Sequence, residues 1–264
     1  MNRHPAVAGL FYSDNAQQLR NDVHYYLSKS TTDQAIAPKA MIVPHAGYIY
    51  SAQAAAEGYQ LLTPYADTIQ RVVLLGPSHR VGFYGLALPT HSSFSTPLGD
   101  INVDKKTADQ LVESGLAIYF DEAHQLEHSL EVQLPFLQCV LHEFEIVPIV
   151  VGGSDAETVS KAIDTVWGGS ETLIIVSSDL SHYHPYQQAQ AMDQKTALAI
   201  EQFDDQNIHH DQACGATPVR GLLISAKRHG LHIQRIALCN SGDTAGEKDR
   251  VVGYGTFAFS QRSS

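Results

Sequence analysis

Short apolar runs alternate along the chain with helix-length segments. Seven runs have the length and the branched residues of β-strands and span residues 40–43, 71–76, 84–89, 145–152, 172–178, 233–239 and 251–259. Helix-length segments lie between them, at residues 15–28, 51–62, 104–114, 155–167, 187–203 and 218–229. The alternation predicts an α/β fold with a central, largely parallel sheet flanked by helices. Continuous runs such as "LIIV" predict strands that are buried on both faces.

The polar segments of the chain indicate loops rather than domain boundaries. Residues 28–38 and 241–250 are polar stretches next to predicted strands, and neither resembles a long linker. A chain of 264 residues is long enough for one large α/β domain. We therefore expect residues 1–264 to form a single domain.

The composition argues against some classes of partner. The chain has 17 basic and 28 acidic residues, which gives a net charge of −11 with neutral histidines. Nucleic acids and anionic membranes are bound by basic surfaces, so we expect neither as a partner. No apolar run approaches the roughly 20 residues of a membrane-spanning helix, and the N-terminus lacks the apolar stretch of a signal peptide. Three scattered cysteines fit a reducing compartment, so a cytoplasmic location is expected.

Histidines recur just after predicted strands. "AMIVPHAGY" places His45 there, "VVLLGPSHR" places His79 there, and "LIIVSSDLSHYH" places Asp179 and His182 there. Because ligands bind at the carboxyl ends of parallel strands, neighbouring strands would gather these side chains at one edge of the sheet. Converging imidazoles with an aspartate form either a metal site or an acid–base site. Taken alone, each histidine is more often a loop residue with a local hydrogen bond, and no H-E-x-x-H or paired C-x-x-C motif is present.

A cysteine precedes the last predicted helix. In "CGATPVRG", Thr217 suits an N-cap and Pro218 suits the first turn, so Cys214 lies just before a helix N-terminus. That position favours the thiolate, the form that binds metals or attacks electrophiles. The alternative is a small buried apolar residue, which is how we interpret Cys139 and Cys239.

The stretch "LEHSLEVQLPFLQ" carries a further group of polar residues. If it is helical, Glu127 and Glu131 share a face, as do His128 and Glu131. Pro135 predicts a kink or a later helix start. Two interpretations stay open: an exposed charged face, or residues that orient a metal ligand or shuttle a proton behind the site.

Six motifs occur in an order that is specific to one family. They are "PAVAGLFY", "PHAGYIYS", "LGPSH", "EHSLEVQLPF", "SSDLSHY" and "CGATP", and they run from Pro5 to Pro218. In these motifs the chain resembles the Memo family, whose prokaryotic members are called AmmeMemoRadiSam system protein B. The name reflects neighbouring genes for an AMMECR-type protein and a radical SAM protein, which the resemblance implies as partners. It also implies a fold like that of the class III extradiol dioxygenases, which use non-haem iron(II).

The resemblance implies roles for individual residues. His45, His79 and Cys214 match the metal-ligating positions, His182 matches an acid–base histidine of the dioxygenases, and Asp179 matches a pocket residue. The dioxygenases complete their iron site with a carboxylate, whereas a thiolate favours copper(I), zinc or a differently tuned iron. The expected cofactor is therefore one transition metal ion, iron(II) or copper, with zinc as the alternative.

Three functions stay open at this point. The first is a metal-dependent redox protein or oxygenase-like enzyme, in which the metal keeps open positions for substrate or dioxygen. The second is a module that binds proteins or peptides and has a vestigial pocket. The third is a zinc hydrolase, which is ranked lower because no substrate-binding motif accompanies it. The sequence names neither the substrate nor the reaction.

Overall fold

A nine-stranded mixed sheet organises the molecule. A computed structural model describes residues 1–32 and 36–261. The strands in these ranges are β1 (Asn2–Arg3), β2 (Ala40–Val43), β3 (Arg71–Pro77), β4 (Leu86–Leu88), β5 (Ser93–Thr96), β6 (Gly99–Asn102), β7 (Ile118–Tyr119), β8 (Glu145–Val151), β9 (Thr172–Ser177), β10 (His182–His184), β11 (His232–Asn240) and β12 (Val251–Ser260).

Eight α-helices accompany the strands in the described part of the chain. They are α1 (Ala16–Ser28), α2 (Tyr48–Tyr59), α3 (Lys105–Glu113), α4 (Glu122–Gln125), α5 (Leu134–Val140), α6 (Ala156–Thr165), α7 (Tyr186–Glu201) and α8 (Ala216–Arg228). Short 3-10 turns span Gln60–Tyr65, Glu131–Gln133, Asp205–Asn207 and Ser241–Asp243. Within the described ranges, no helix has the length and apolar character that a membrane crossing requires.

The centre of the sheet is parallel and its flanks are antiparallel. The strand order is β10-β12-β2-β9-β3-β8-β4-β7, with β11 paired to β12. Strands β2, β9, β3 and β8 pair in parallel, whereas β12 runs antiparallel to β2 and β4 runs antiparallel to β8. The predicted α/β fold with a central sheet is thus confirmed, and its parallel part is the middle. A separate three-stranded sheet, β1-β5-β6, was not predicted.

The central strands are buried on both faces, as their continuous apolar sequences predict. Val73 and Leu75 belong to one hydrophobic cluster, which includes apolar side chains of α6 and α8. Val72 and Leu74 point to the opposite face and belong to a second cluster with side chains of α2 and α5. Successive residues of a strand alternate between faces, so a single apolar run contributes side chains to both hydrophobic clusters.

Several helix boundaries follow from capping side chains. Asn15 caps α1 by accepting a hydrogen bond from the backbone N–H of Gln18 at 2.9 Å, and Asp104 and Asp155 cap α3 and α6 in the same way. The prediction for α8 was wrong at its start. The helix begins at Ala216 with Gly215 at the N-cap position, so Thr217 lies inside the helix.

The segment that contains Glu127, His128 and Glu131 is not one helix. Helix α4 ends at Gln125, a 3-10 turn covers Glu131–Gln133, and α5 starts afterwards with Pro135 in its first turn. Glu127 and Glu131 therefore do not share a helical face, which was expected only if the whole segment were helical. Pro135 marks a later helix start, because its ring is tolerated only where no backbone N–H is needed.

Candidate metal centre

Three parallel neighbours, β2, β9 and β3, deliver polar side chains to one edge of the sheet. His45 follows β2 by two residues, Asp179 follows β9 by two, and His79 follows β3 by two. The register pairs Val43 with Ser177 at the ends of β2 and β9. Parallel pairing therefore brings the three loops together, as the position of ligands in open α/β sheets predicts.

The imidazoles of His45, His79 and His128 form a cluster. One ring nitrogen of each lies within 4.8 Å of the others. The ring centroids are 5.2 Å apart for His45 and His79, 5.4 Å for His45 and His128, and 4.6 Å for the stacked pair His79 and His128. With metal–ligand bonds of about 2.0–2.3 Å, two ligands of one ion are at most about 4.6 Å apart, so a small closure would let the cluster hold a metal ion.

Cys214 lies next to this cluster. Its Sγ is 3.3 Å from Nε2 of His45 and accepts a hydrogen bond of 3.3 Å from the backbone N–H of Asp179. A nitrogen and a sulfur that share one tetrahedral zinc ion are about 3.5 Å apart, so the spacing suits a common ion. Gly215 permits this approach, because a Cβ there would lie 2.7 Å from the side chain of Ser178.

The protonation of Cys214 differs from the prediction. Burial, followed by the neighbouring Asp179 carboxyl, raises the pKa of the Cys214 thiol to about 12. The thiol is therefore protonated at neutral pH, and the effect of the helix N-terminus is outweighed by desolvation. A metal ion binds the thiolate, so coordination by Cys214 would release the thiol proton.

Two of the clustered histidines, His45 and His128, are neutral. Burial, and after it the positive charge that His79 can carry, lowers the pKa of His45 to about 3. Burial lowers the pKa of His128 to about 4, and His45 acts in the same direction. Neutral imidazole is the form that ligates metals. The Nδ1 of His128 is buried and has no hydrogen-bond partner among the described residues, although Glu127 Oε1 lies 3.4 Å away. Unpaired buried polar atoms are rare, and this one fits a nitrogen whose partner is a metal ion.

The Glu127 carboxylate lies behind His79. Its Oε1 accepts hydrogen bonds from Nδ1 of His79 at 2.8 Å and from the backbone N–H groups of His128 and Ser129 at 3.0 and 2.9 Å. Its Oε2 accepts the backbone N–H of His79 at 2.6 Å. Burial acts to raise the pKa of Glu127, but these bonds and the charge of His79 lower it to about 2. A carboxylate bound to one imidazole nitrogen leaves the other nitrogen for a metal.

Asp179 lies at this edge, and His182 follows it in the chain on β10. Oδ1 of the buried Asp179 accepts the backbone N–H of His45 at 2.7 Å. Burial raises the pKa of Asp179, while the bond from His45 and the charge of His182 oppose that rise. His182 is half-buried on β10, and its charge also acts on His45.

Glu131 has a different environment from Glu127. It pairs with Arg3 and accepts the backbone N–H groups of Ala6 and Val7 at 2.7 and 3.0 Å. The hydroxyl of Tyr12 donates to it at 2.6 Å. These partners all belong to the N-terminal segment, so Glu131 anchors that segment against the rest of the domain.

Sequence reasoning missed two residues beside the histidines, Ser177 and Gln133. Ser177 and Gln133 are fully buried and lie behind His45, where Nδ1 of His45 is 2.9 Å from the Ser177 hydroxyl. Phe11 packs its ring 4.9 Å from that of His128. The available signal was a polar residue inside an apolar run, as in "IIVSSD" and "EVQLPF".

Comparisons with known proteins give one consistent result. The model of a family described as Memo-like protein matches residues 3–258. A MEMO1 family protein of Aquifex aeolicus is 35% identical over 263 residues, with 96% of this chain and 97% of the relative covered. One of Saccharolobus solfataricus is 34% identical over 279 residues, with 96% and 98% covered. One of Methanopyrus kandleri is 32% identical over 282 residues, with 98% and 99% covered.

A solved structure shares the fold at low sequence identity. It is the crystal structure of an uncharacterized protein from Escherichia coli, with a TM-score of 0.51 and 10% identity, covering 82% of this chain and 98% of that one. It supports the α/β architecture alone. The family match extends over nearly the whole sequence and includes the loops that carry the histidine cluster. The chain belongs to the Memo family.

Proposed function

We propose that this protein binds one transition metal ion at the histidine cluster and uses it in redox chemistry on a small substrate. The observation that carries the proposal is the convergence of the three histidines within 4.8 Å, with Cys214 Sγ 3.3 Å from His45 Nε2. A bound iron or copper ion would supply redox chemistry with an exchangeable coordination position. The mixed nitrogen and sulfur donors suit iron, copper and zinc, and they disfavour magnesium and calcium.

Two ligand sets are compatible with the geometry, and both contain His45 and His79. The third ligand is Cys214 in the set that the family motifs imply and His128 in the set of converging imidazoles. Either set would supply three of the ligands of a four-coordinate ion. Glu127 would hold His79 in the tautomer that leaves Nε2 free.

His182 is our candidate for the residue that moves a proton. It is half-buried, and its charge reaches both Asp179 and His45. Imidazole is the side chain that most often transfers protons as a general acid or base. Asp179, buried beside it, would hold a proton or stabilise the imidazolium. These roles need no residue outside the motifs that carry the family resemblance.

Metal analysis after anaerobic purification tests the proposal. We expect stoichiometric iron or copper in the wild type and in Cys139→Ala, a matched control whose cysteine lies in α5. Metal should be lost in His45→Gln, and Cys214→Ala and His128→Gln decide between the two ligand sets. Zinc in the wild type would favour the hydrolase. Failure to bind any of these metals after reconstitution would refute the metal site.

A second candidate function is the docking of a protein partner around this edge. Four large apolar side chains are exposed next in sequence to site residues or a few positions away: Leu10 at 80%, Ile49 at 63%, Leu126 at 62% and Tyr183 at 62%. Large exposed apolar patches mark interaction sites, and these four side chains are our candidates for one. The partners to test are the AMMECR-type and radical SAM proteins.

A binding assay with purified partners separates the two candidates. For docking, Ile49→Ser and Leu126→Ser together should abolish binding, whereas Leu198→Ser on α7, which is 42% exposed, should not. Binding that survives in His45→Gln would be independent of the metal. Equal binding by the double variant would contradict the docking surface.

A further inference from the structure

The hydroxyl of Ser177 has a fully determined set of hydrogen bonds. It donates its one proton to the backbone carbonyl of Ser129 at 2.6 Å. It accepts an N–H from Nε2 of Gln133 at 2.8 Å, and Nδ1 of His45 lies 2.9 Å away. A carbonyl only accepts, so the hydroxyl proton is committed to Ser129. The hydroxyl therefore accepts from His45, and His45 carries its proton on Nδ1.

The amide of Gln133 fixes this arrangement from the other side. Nε2 of Gln133 also donates to the backbone carbonyl of Pro44 at 2.8 Å, and Oε1 accepts the hydroxyl of Tyr59 at 2.9 Å. A flipped amide would place its oxygen against the Pro44 carbonyl, where two acceptors would meet. The orientation of Gln133 is thus assigned by its partners.

Burial makes any other arrangement of these hydrogen bonds costly in free energy. Tyr59, Gln133, Ser177 and Ser129 are 0% exposed, and His45 is 2% exposed. Bulk water therefore does not replace a lost partner, and a buried donor without an acceptor costs the free energy of its desolvation. The Nε2 lone pair of His45, opposite the protonated nitrogen, faces the thiol of Cys214 at 3.3 Å.

We propose that Ser177, held by Gln133 and Ser129, is a positioning residue that locks His45 in the Nδ1–H tautomer and aims its Nε2 lone pair at the shared site. The tautomer itself follows from the hydrogen bonds of the metal-free protein. Its consequence for metal affinity rests on the proposed function. Ser177 acts on the imidazole alone, and it touches neither substrate nor metal.

Nuclear magnetic resonance of the histidine rings tests the tautomer without metal. In a long-range ¹H–¹⁵N spectrum of labelled metal-free protein, we expect His45 to show a protonated Nδ1 and an unprotonated Nε2. The His45→Gln variant assigns the signals. An Nε2–H tautomer or an imidazolium in the wild type at neutral pH would overturn the proposal.

Variants of Ser177 test its part in the tautomer. In Ser177→Ala the Nδ1–H group loses its acceptor, and so does the N–H of Gln133 Nε2 that donates to the hydroxyl. The proton should then move to Nε2, which has Cys214 Sγ as an acceptor. Ser177→Thr keeps a hydroxyl and should keep the wild-type pattern. Ser160→Ala removes another fully buried serine hydroxyl, on α6, and is the matched control. If folded Ser177→Ala kept the wild-type tautomer signals of His45, Ser177 would not be the residue that fixes the tautomer.

Zinc titration of the same variants tests the consequence for the site. Loss of a residue that orients a metal-ligating histidine typically weakens metal affinity about 10–100-fold, which is the effect expected for Ser177→Ala. Ser177→Thr and Ser160→Ala should bind zinc like the wild type. Wild-type protein with the expected tautomer but no metal binding would refute the proposed function alone. Wild-type affinity in Ser177→Ala would refute the positioning role.

Discussion

The buried pair of Arg3 and Glu131 gives a sharp prediction about stability. Glu131 is 0% exposed and Arg3 is 2% exposed. One oxygen of Glu131 accepts from Arg3 and from Ala6 N, and the other accepts from Val7 N and from the hydroxyl of Tyr12. In Glu131→Gln the side-chain NH₂ group faces two donors in either orientation. The variant also leaves the Arg3 charge without a counter-ion in the protein interior.

The loss of the ion pair and of a hydrogen bond sets the expected decrease in the free energy of unfolding. Removing one partner of a buried ion pair typically costs about 3–5 kcal/mol, which is a large part of the roughly 5–15 kcal/mol by which a domain is stable. Arg3→Met should cost less, because the Glu131 carboxylate keeps three donors. The double variant should cost less than the sum of the two single changes, since it leaves neither charge unpaired.

Urea unfolding followed by circular dichroism measures these free energies. The matched control is Glu157→Gln, which breaks the pair of Arg228 and Glu157, whose side chains are 46% and 49% exposed. Exposed pairs contribute about 0–1 kcal/mol, so this variant should unfold almost like the wild type. If Glu131→Gln also stayed within about 1 kcal/mol of the wild type, the charge on Glu131 would not hold the N-terminal segment.

Three further predictions concern buried groups. Burial lowers the pKa of His124 to about 4. The unfolded chain therefore takes up a proton below about pH 6.5 that the folded protein excludes. Stability should fall as the pH drops from about 6.5 to 4, by up to about 1.4 kcal/mol per pH unit for this residue, and His124→Gln should flatten the slope in urea unfolding. Gly253→Ala would put a Cβ 2.0 Å from Oδ2 of the buried Asp193, and overpacking should cost about 1–3 kcal/mol in the same assay. Gly215→Ala should displace Cys214 and weaken zinc binding in a titration, whereas undiminished affinity would mean that the loop adapts.

The fold could be predicted at strands that are buried on both faces, because such strands have continuous apolar sequences. The predicted bounds 40–43, 71–76 and 172–178 differ by at most one residue from β2, β3 and β9. The three-stranded sheet was missed because β6, "GDIN", and the two residues of β1 carry no alternating apolar pattern. Such strands form because a neighbouring strand pairs with them, and that neighbour is set by the tertiary fold.

The position of ligands at the strand ends predicted the convergence of His45 and His79, because a parallel sheet has only one edge where its carboxyl ends meet. It did not predict that His128 joins them, since His128 follows no strand and arrives from the segment between α4 and the 3-10 turn. The protonation of Cys214 was misjudged for a related reason. A helix N-terminus is visible in the sequence, whereas the burial that raises this pKa depends on the whole fold.

Glu127 and Glu131 show the limit of local reasoning most clearly. They are the same residue type, four positions apart in one motif, and both are almost fully buried, at 2% and 0% exposure. Glu127 accepts hydrogen bonds from His79, whereas Glu131 accepts them from the N-terminal segment. A single helix would have placed both on one face with the same neighbours. The break between α4 and α5 turns them toward different partners, so one carboxylate orients an imidazole of the candidate metal centre and the other secures the segment whose Phe11 packs against His128.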